Sequence, residues 1–211
     1  IDDQIFCGHV NGSFIIKNNS ATKIPGTEGS WTFRKIKSKD LILEGNYFGL
    51  NVLKKDNGNW KIRNSIPEFD LSTRFFELTE NNKIIVVHGY RGVYKLELDE
   101  LFENLKSIEI DSLSISGNPS LANFNDKIYY KNKNGMYYYE ETNNNFLMDS
   151  LLSKAANPTG LIRADNDKLW IFSDNNIFYA SNDEVNNKVS LKSVLIPKKQ
   201  KRTIFENISS D

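Results

Sequence analysis

Five times along the chain a short apolar run meets a turn and a second apolar run leaves it: FCGHVNGSFII, LILEGNYFGLNVL, IIVVHGYRGVYKL, IYYKNKNGMYYY and LWIFSDNNIFYAS. The turns carry Gly12, Gly49, Gly92, Gly135 and Asn176, so the unit recurs about every 40 residues. Within each unit, alternation of apolar and polar residues marks short strands rather than helices. The second repeat reads as strands at 31–35, 41–45, 50–53 and 60–64, with Asp56, Asn57, Gly58 and Asn59 as a hairpin turn. The third reads as 73–78, 84–88, 93–96 and 105–110, and the fourth as 121–125, 128–131, 136–139 and 146–148. The fifth reads as 160–165, 169–172, 177–180 and 189–196. The first is incomplete, with strands at 5–9, 13–16 and 21–24, and the segment 203–209 reads as the first strand of another repeat. Glycine at the recurring turn supplies a positive φ without a Cβ clash, and asparagine is the next best residue for it. One stretch, 98–105, is expected to form a short helix in a connection.

A period of this length built of four short strands is the mark of a β-propeller blade. The predicted fold class is therefore all-β: a propeller of four-stranded antiparallel blades in a single domain. The repeats fall at approximately 1–30, 31–70, 71–116, 117–158 and 159–199, with 200–211 starting a further blade. About five repeats point to part of a larger, seven-bladed ring. The alternative is a closed five-bladed ring, in which 203–209 would add to the incomplete first blade.

Composition narrows the function classes. With 211 residues, 39% of them hydrophobic and 12% aromatic, the chain is long enough to bury a core. Its 27 basic and 27 acidic residues cancel, which disfavours nucleic acid or another polyanion as a partner. Cys7 is the single cysteine, so an intrachain disulfide is excluded, and beside Phe6 in an apolar run it is expected to be a small buried hydrophobe. No run approaches the length of a membrane span and no signal peptide precedes Ile1. Both ends begin or stop within repeat-like strands, so an excised piece of something larger is expected.

The chemistry-bearing residues favour binding over catalysis. In a propeller, the loops leading into the innermost strands and the turns joining the second and third strands share one face. That face would carry 66–72, 111–120, 149–159 and the turns at 47, 90–91, 131–134 and 174–176. Arg74 and Arg91 are candidates to converge there on a carboxylate, a sulfate or sugar hydroxyls. Tyr47 and Tyr90 would offer flat surfaces to a sugar ring. For Arg74 the competing reading is an ion pair with Glu77, and for Tyr90 packing on a neighbouring blade. Tyr129, Tyr130, Tyr137, Tyr138 and Tyr139 alternate on strands and are expected in the core. His9 and His88 end strands without a ligand set beside them, Asp165, Asn166 and Asp167 fit a β-turn better than a calcium loop, and the basic run 198–202 fits a solvated connection. No metal and no cofactor is called for.

The stretches STRFFELTENNKIIVVHGYRGVYKLELD, NGSFIIKNNSATKI and DNDKLWIFSDNNIFYAS resemble the two-component-regulator propeller repeats of bacterial extracytoplasmic sensors. In that family the repeats precede a triple-tyrosine domain, a membrane span and a cytoplasmic output, either a LuxR-type helix-turn-helix or a hybrid histidine kinase. Residues 74–77 and 88–94 carry most of the likeness. The family's tryptophan in the second strand is present at Trp170. Its place is taken by Ile85 in the third repeat, Ile42 or Leu43 in the second and Tyr129 or Tyr130 in the fourth. The resemblance implies a non-enzymatic periplasmic sensor of a small polar or glycan-derived signal, with homodimer or further-blade contacts and the membrane reached only through a segment outside this chain. A protein-interaction scaffold and a carbohydrate-active propeller enzyme are the alternatives.

Overall fold

The structure is a computed structural model and describes residues 1, 3–36, 39–113, 119–155, 158–164, 168–173, 176–183 and 188–194. The segment 203–209, the run 198–202 and the turn at Asp165, Asn166 and Asp167 lie outside them, as do parts of the loops at 111–120, 149–159 and 174–176. The chain divides into two compact units, Ile1–Ile115 and Ser116–Asp211.

Unit 1 holds three antiparallel sheets. The first has three strands, β1 (Ile5–His9), β2 (Gly12–Lys17) and β3 (Ser20–Ile24), in chain order. The second is β4 (Ser30–Lys35), β5 (Leu41–Asn46), β6 (Gly49–Asp56) and β7 (Asn59–Ser65), again in chain order. The third is β8 (Phe75–Leu78), β9 (Ile84–His88), β10 (Gly92–Leu98) and β11 (Leu105–Asp111). Unit 2 holds two four-stranded meanders. One is β12 (Ser120–Phe124), β13 (Lys127–Asn132), β14 (Gly135–Glu140) and β15 (Asn145–Met148); the other is β16 (Pro158–Ala164), β17 (Lys168–Ser173), β18 (Ile177–Asp183) and β19 (Lys188–Val194). Every strand expected within the described residues forms, with ends shifted by a residue or a few.

Turn chemistry sets the register. Gly12, Gly49, Gly92 and Gly135 have φ between 125° and 146°, well beyond the left-handed helical value and open only to glycine. A Cβ at Gly49 would also overlap the carbonyl oxygen of Phe69. Asn57 and Gly58, at φ 48° and 83°, close the β6–β7 hairpin. In register, the position of Trp170 on β17 corresponds to Leu43, Ile85 and Tyr129, three residues before the end of each second strand.

The core of each unit lies between sheets. In unit 1, Leu43, Leu50, Val52, Phe76, Ile84, Val86 and Leu96 interdigitate between the second and third sheets, while Ile24, Ile42, Leu53 and Trp60 fill the space between the first and second. In unit 2, Ala122, Tyr129, Met136, Leu161, Leu169 and Ile171 do the same. Tyr130 and Tyr139 are also buried, as expected of large residues between twisted sheets.

Two expectations are corrected. Cys7 is exposed, because it occupies in β1 the position that Glu44 takes in β5, and that side of a sheet faces the preceding one. Glu44 shows this by reaching Ser13 of the first sheet, whereas Cys7 and its neighbour Ile5 meet solvent. The stretch 98–105 is not a helix. The Asp99 carboxylate accepts from the backbone N–H of Glu103 (2.8 Å) and Asn104 (3.1 Å) and from the Asn104 amide (2.8 Å), which closes a turn. Phe102 sits at φ 58°, a geometry no helix tolerates, and its ring lies in the core. Arg63 donates to the Leu101 and Phe102 carbonyls, so a helical ladder is replaced at both its donor and acceptor sides.

Glu44 is fully buried and accepts from the Ser13 hydroxyl and from Asn51 Nδ2 at 2.8 Å, with Ser30 completing its donors and no cation beside it among the described residues. Burial pushes its carboxyl above the usual range against those hydrogen bonds. The native state therefore holds this proton more tightly than the unfolded chain. Its contribution is fully present below the unfolded carboxyl range and fades as pH rises through the raised folded value. Urea unfolding of wild type and Glu44→Gln across pH 4 to 8 should show wild type gaining stability relative to the variant on acidification. In a separate test Gly49→Ala, strained at φ and blocked by backbone, should lose more than about 1 kcal/mol, while Gly58→Ala, with open space around it, should lose less.

Candidate functional site

Four of the recurring glycine turns, β1–β2 in the three-stranded sheet and second-to-third strand in three four-stranded ones, close in one way. A side-chain acceptor at the strand end takes the backbone N–H two residues on: His9 Nδ1 from Asn11 (3.1 Å), Asn46 Oδ1 from Phe48 (2.7 Å), His88 Nδ1 from Tyr90 (3.2 Å) and Asn132 Oδ1 from Asn134 (2.8 Å). Histidine here does what asparagine does in an Asx-turn. That role accounts for both histidines of the chain. No group of three or more His, Cys, Asp or Glu that could hold a metal is found among the described residues. Burial, and then the charge of Arg91, hold His88 below the ordinary imidazole range, in keeping with a lone pair committed to the Tyr90 N–H.

These turns carry large side chains outward. Tyr47 is 41%, Phe48 75% and Tyr90 90% exposed. Tyr90 stands edge-on to His88 at 6.2 Å and does not pack on another sheet. Arg91, beside it, is exposed.

Arg74 and Tyr47 are brought together by a residue that the strand pattern did not single out, Trp31. Tyr47 meets the Trp31 ring edge-to-face at 4.9 Å, and the Arg74 guanidinium lies over Trp31 at 5.0 Å and over Phe75 at 5.2 Å. The backbone holds the three in place: Thr73 N–H donates to the Asn46 carbonyl (2.8 Å), Thr32 Oγ1 to the Arg74 carbonyl (2.9 Å), and Tyr47 N–H to the Gly29 carbonyl (3.0 Å). Trp31 is the extra residue of a β-bulge between Ser30 and Thr32, which is how a strand residue is re-aimed toward the sheet's end. Its indole Nε1 is buried without a hydrogen-bond partner. A bulge leaves no mark in the alternation of WTFRK, which is why Trp31 escapes a reading of the sequence.

The expected competition for Arg74 resolves differently. Glu77 is taken by Arg34, through Nε at 2.7 Å and Nη2 at 2.6 Å, so Arg74 makes no ion pair with it. The last ladder pair of β8 and β9 is Phe75 with Val87, and the next residues outward are Arg74 and His88. Register thus brings Arg74 and the His88–Tyr90–Arg91 turn to the same end of unit 1. All four predicted residues, Arg74, Tyr47, Tyr90 and Arg91, sit at that end, and the first two touch Trp31.

A hollow of about 470 Å³ lies between β3 and β7, lined by Ile15, Ile24, Trp60 and Ile62 together with Lys23 and Lys61. Three of its polar groups are already engaged: Trp60 Nε1 donates to Gln4 (2.7 Å), Lys23 pairs with Glu28 (2.6 Å) and Lys61 with Asp56 (2.8 Å). The Trp31 cluster, with donors unspent, is the stronger candidate.

No family model matches the chain, and no curated protein sequence matches it. Solved structures do. Virginiamycin B lyase from Staphylococcus aureus superposes with a TM-score of 0.58 at 11% identity, over 89% of this chain and 64% of the lyase. The extracellular domain of a protein named a hybrid two component system from B. thetaiotaomicron matches with a TM-score of 0.61 at 14% identity, over 94% of this chain and 27% of that one. The fold is a β-propeller. A second hybrid two component system domain from the same organism matches the propeller with a TM-score of 0.59 at 13% identity, over 93% of this chain and 27% of that one. Extracellular regulator domains are thus among its structural likenesses, as residues 74–77 and 88–94 implied. The chain spans less than two thirds of the lyase and about a quarter of each regulator domain. At these identities the likeness establishes architecture, and a lyase and extracellular domains of two component systems share it.

The turn device is testable. His88→Asn should fold with near wild-type stability at pH 8, as Asn46 and Asn132 make the same bond, while His88→Ala should cost about 1 kcal/mol. Because the folded imidazole range is lowered, its contribution is present above the unfolded value and lost as pH falls. Melting temperatures from pH 8 to 5 should show His88→Asn gaining on wild type through the imidazole range.

Proposed function

We propose that this propeller is the ligand-binding part of an extracytoplasmic signal-transducing regulator, and that it binds a small polar or glycan-derived signal without transforming it. The observation that carries this reading is the cluster at one end of unit 1. There the Arg74 guanidinium lies over Trp31 and Phe75, with Tyr47 against the Trp31 ring and Tyr90 and Arg91 exposed in the next turn. Rings presented beside charged, planar donors are what sugar recognition requires: apolar C–H faces need a flat surface and hydroxyls need directional donors. The fold likeness to extracellular regulator domains supports the reading at the level of architecture. No helix among the described residues is long and apolar enough to cross a membrane, so a membrane anchor and an output module would belong to a segment beyond this one. The likeness to a lyase supports an enzyme only through the shared fold.

A panel of neutral and acidic oligosaccharides tested by thermal shift decides between these. A ligand at ten times its Kd should add about 1.4 kcal/mol to stability, which for a domain of this size is a shift of about 3 to 5 °C. Tyr90→Ala, at a side chain so exposed that folding is unaffected, should reduce the shift. Arg74→Gln should abolish or halve it. A product released from the sugar would establish the enzyme instead, and capture of a specific protein through the same residues without any sugar effect would establish a scaffold.

A further inference from the structure

The arginines of unit 1 fall into two groups. Arg34 is spent on Glu77 in a two-pronged pair, and Arg63 on Asn64 Oδ1 and the carbonyls of Leu101 and Phe102. The guanidinium groups of Arg74 and Arg91 make no hydrogen bond or ion pair with any described residue, and both residues lie at the end that carries Trp31. We infer that the Trp31–Arg74 site takes the anionic group, carboxylate or sulfate, of an acidic sugar; this rests on the reading that this end of unit 1 binds the signal.

Three features point to an anion and not simply to hydroxyls. The Arg74 guanidinium lies over two rings while Thr32 Oγ1 anchors the backbone carbonyl of the same residue, an arrangement that favours one placement of its planar fork before any ligand arrives. A hydroxyl would leave that charge uncompensated, whereas an oxyanion with two or more oxygens accepts a pair of parallel N–H bonds from it. Trp31 Nε1 is a second, neutral donor in the same cluster, buried without an acceptor, so its N–H dipole stays uncompensated near Arg74 and favours a negative charge there. Arg91, one turn further on, adds positive potential; its charge is already felt by His88. Tyr47 and Tyr90 remain available for the apolar face of the ring that bears the anion.

Matched probes test this by calorimetry on the whole chain: tetragalacturonate against its fully methyl-esterified form, and a sulfated disaccharide against its desulfated form. The anionic member of at least one pair should bind tenfold or more tightly than its neutral partner, and the preference should shrink as salt rises from 50 to 500 mM. The pair that shows it identifies carboxylate or sulfate as the group. Arg74→Gln should cut the affinity of the anionic member tenfold or more and that of its neutral partner far less, which erases the preference. Trp31→Phe, which keeps the ring and removes the N–H, should weaken the anion several-fold, and it serves if Arg74→Gln fails to fold. Equal binding of charged and neutral partners, or a preference surviving in both variants, overturns the inference while the sensory reading stands. Failure of every sugar, acidic and neutral, overturns both.

Discussion

One sheet of unit 1 can lie against the next only because a Cβ is missing where the two backbones meet. A Cβ at Gly45 on β5 would overlap the Thr73 carbonyl, and one at Gly8, its counterpart on β1, would press on the Trp31 carbonyl. At that separation Thr73 N–H reaches the Asn46 carbonyl and Thr32 Oγ1 the Arg74 carbonyl. Those two bonds put the Arg74 guanidinium over the Trp31 ring. The candidate site is therefore a product of sheet-to-sheet spacing: widen the gap by a methyl group and the cation leaves the aromatic face.

The same packing governs how buried charge is handled. Lys95 on β10 pairs across to β11 with Asp111 at 2.8 Å, both side chains nearly inaccessible, with Glu109 at 3.3 Å on the wetter side. Glu77 has its carboxylate matched by both prongs of Arg34. Glu44 instead relies on neutral hydroxyl and amide donors, and desolvation raises its proton affinity accordingly. With these acids and bases committed inside, the uncommitted guanidiniums stand out at the surface.

The fold was legible because its signals are local. Alternation over a few residues, a glycine whose φ no other residue accepts, and an Asn-Gly hairpin each act within one strand pair, so strand order and register followed from them. Where a segment's fate depended on distant atoms, the local reading failed. Residues 98–105 form a turn because Phe102 is drawn into the core and Arg63, from another sheet, takes its carbonyl. Cys7 is exposed although its neighbours are apolar, because burial of that face requires a sheet on the preceding side.

The amino-acid sequence by itself determined the repeat, the strands, the turn residues and the kind of side chain offered at the turns: Tyr47, Tyr90, Arg91 and, at the start of an inner strand, Arg74. Those properties are set by steric and polar rules that span only a few bonds. Tertiary structure decided which of these residues meet. A bulge turned Trp31 outward, Arg34 removed Glu77 from competition, and His88 and Asn46 proved to be turn acceptors. Each of these outcomes depends on residues tens of positions apart coming within 3 to 5 Å, a distance that only the packing of one sheet on the next supplies.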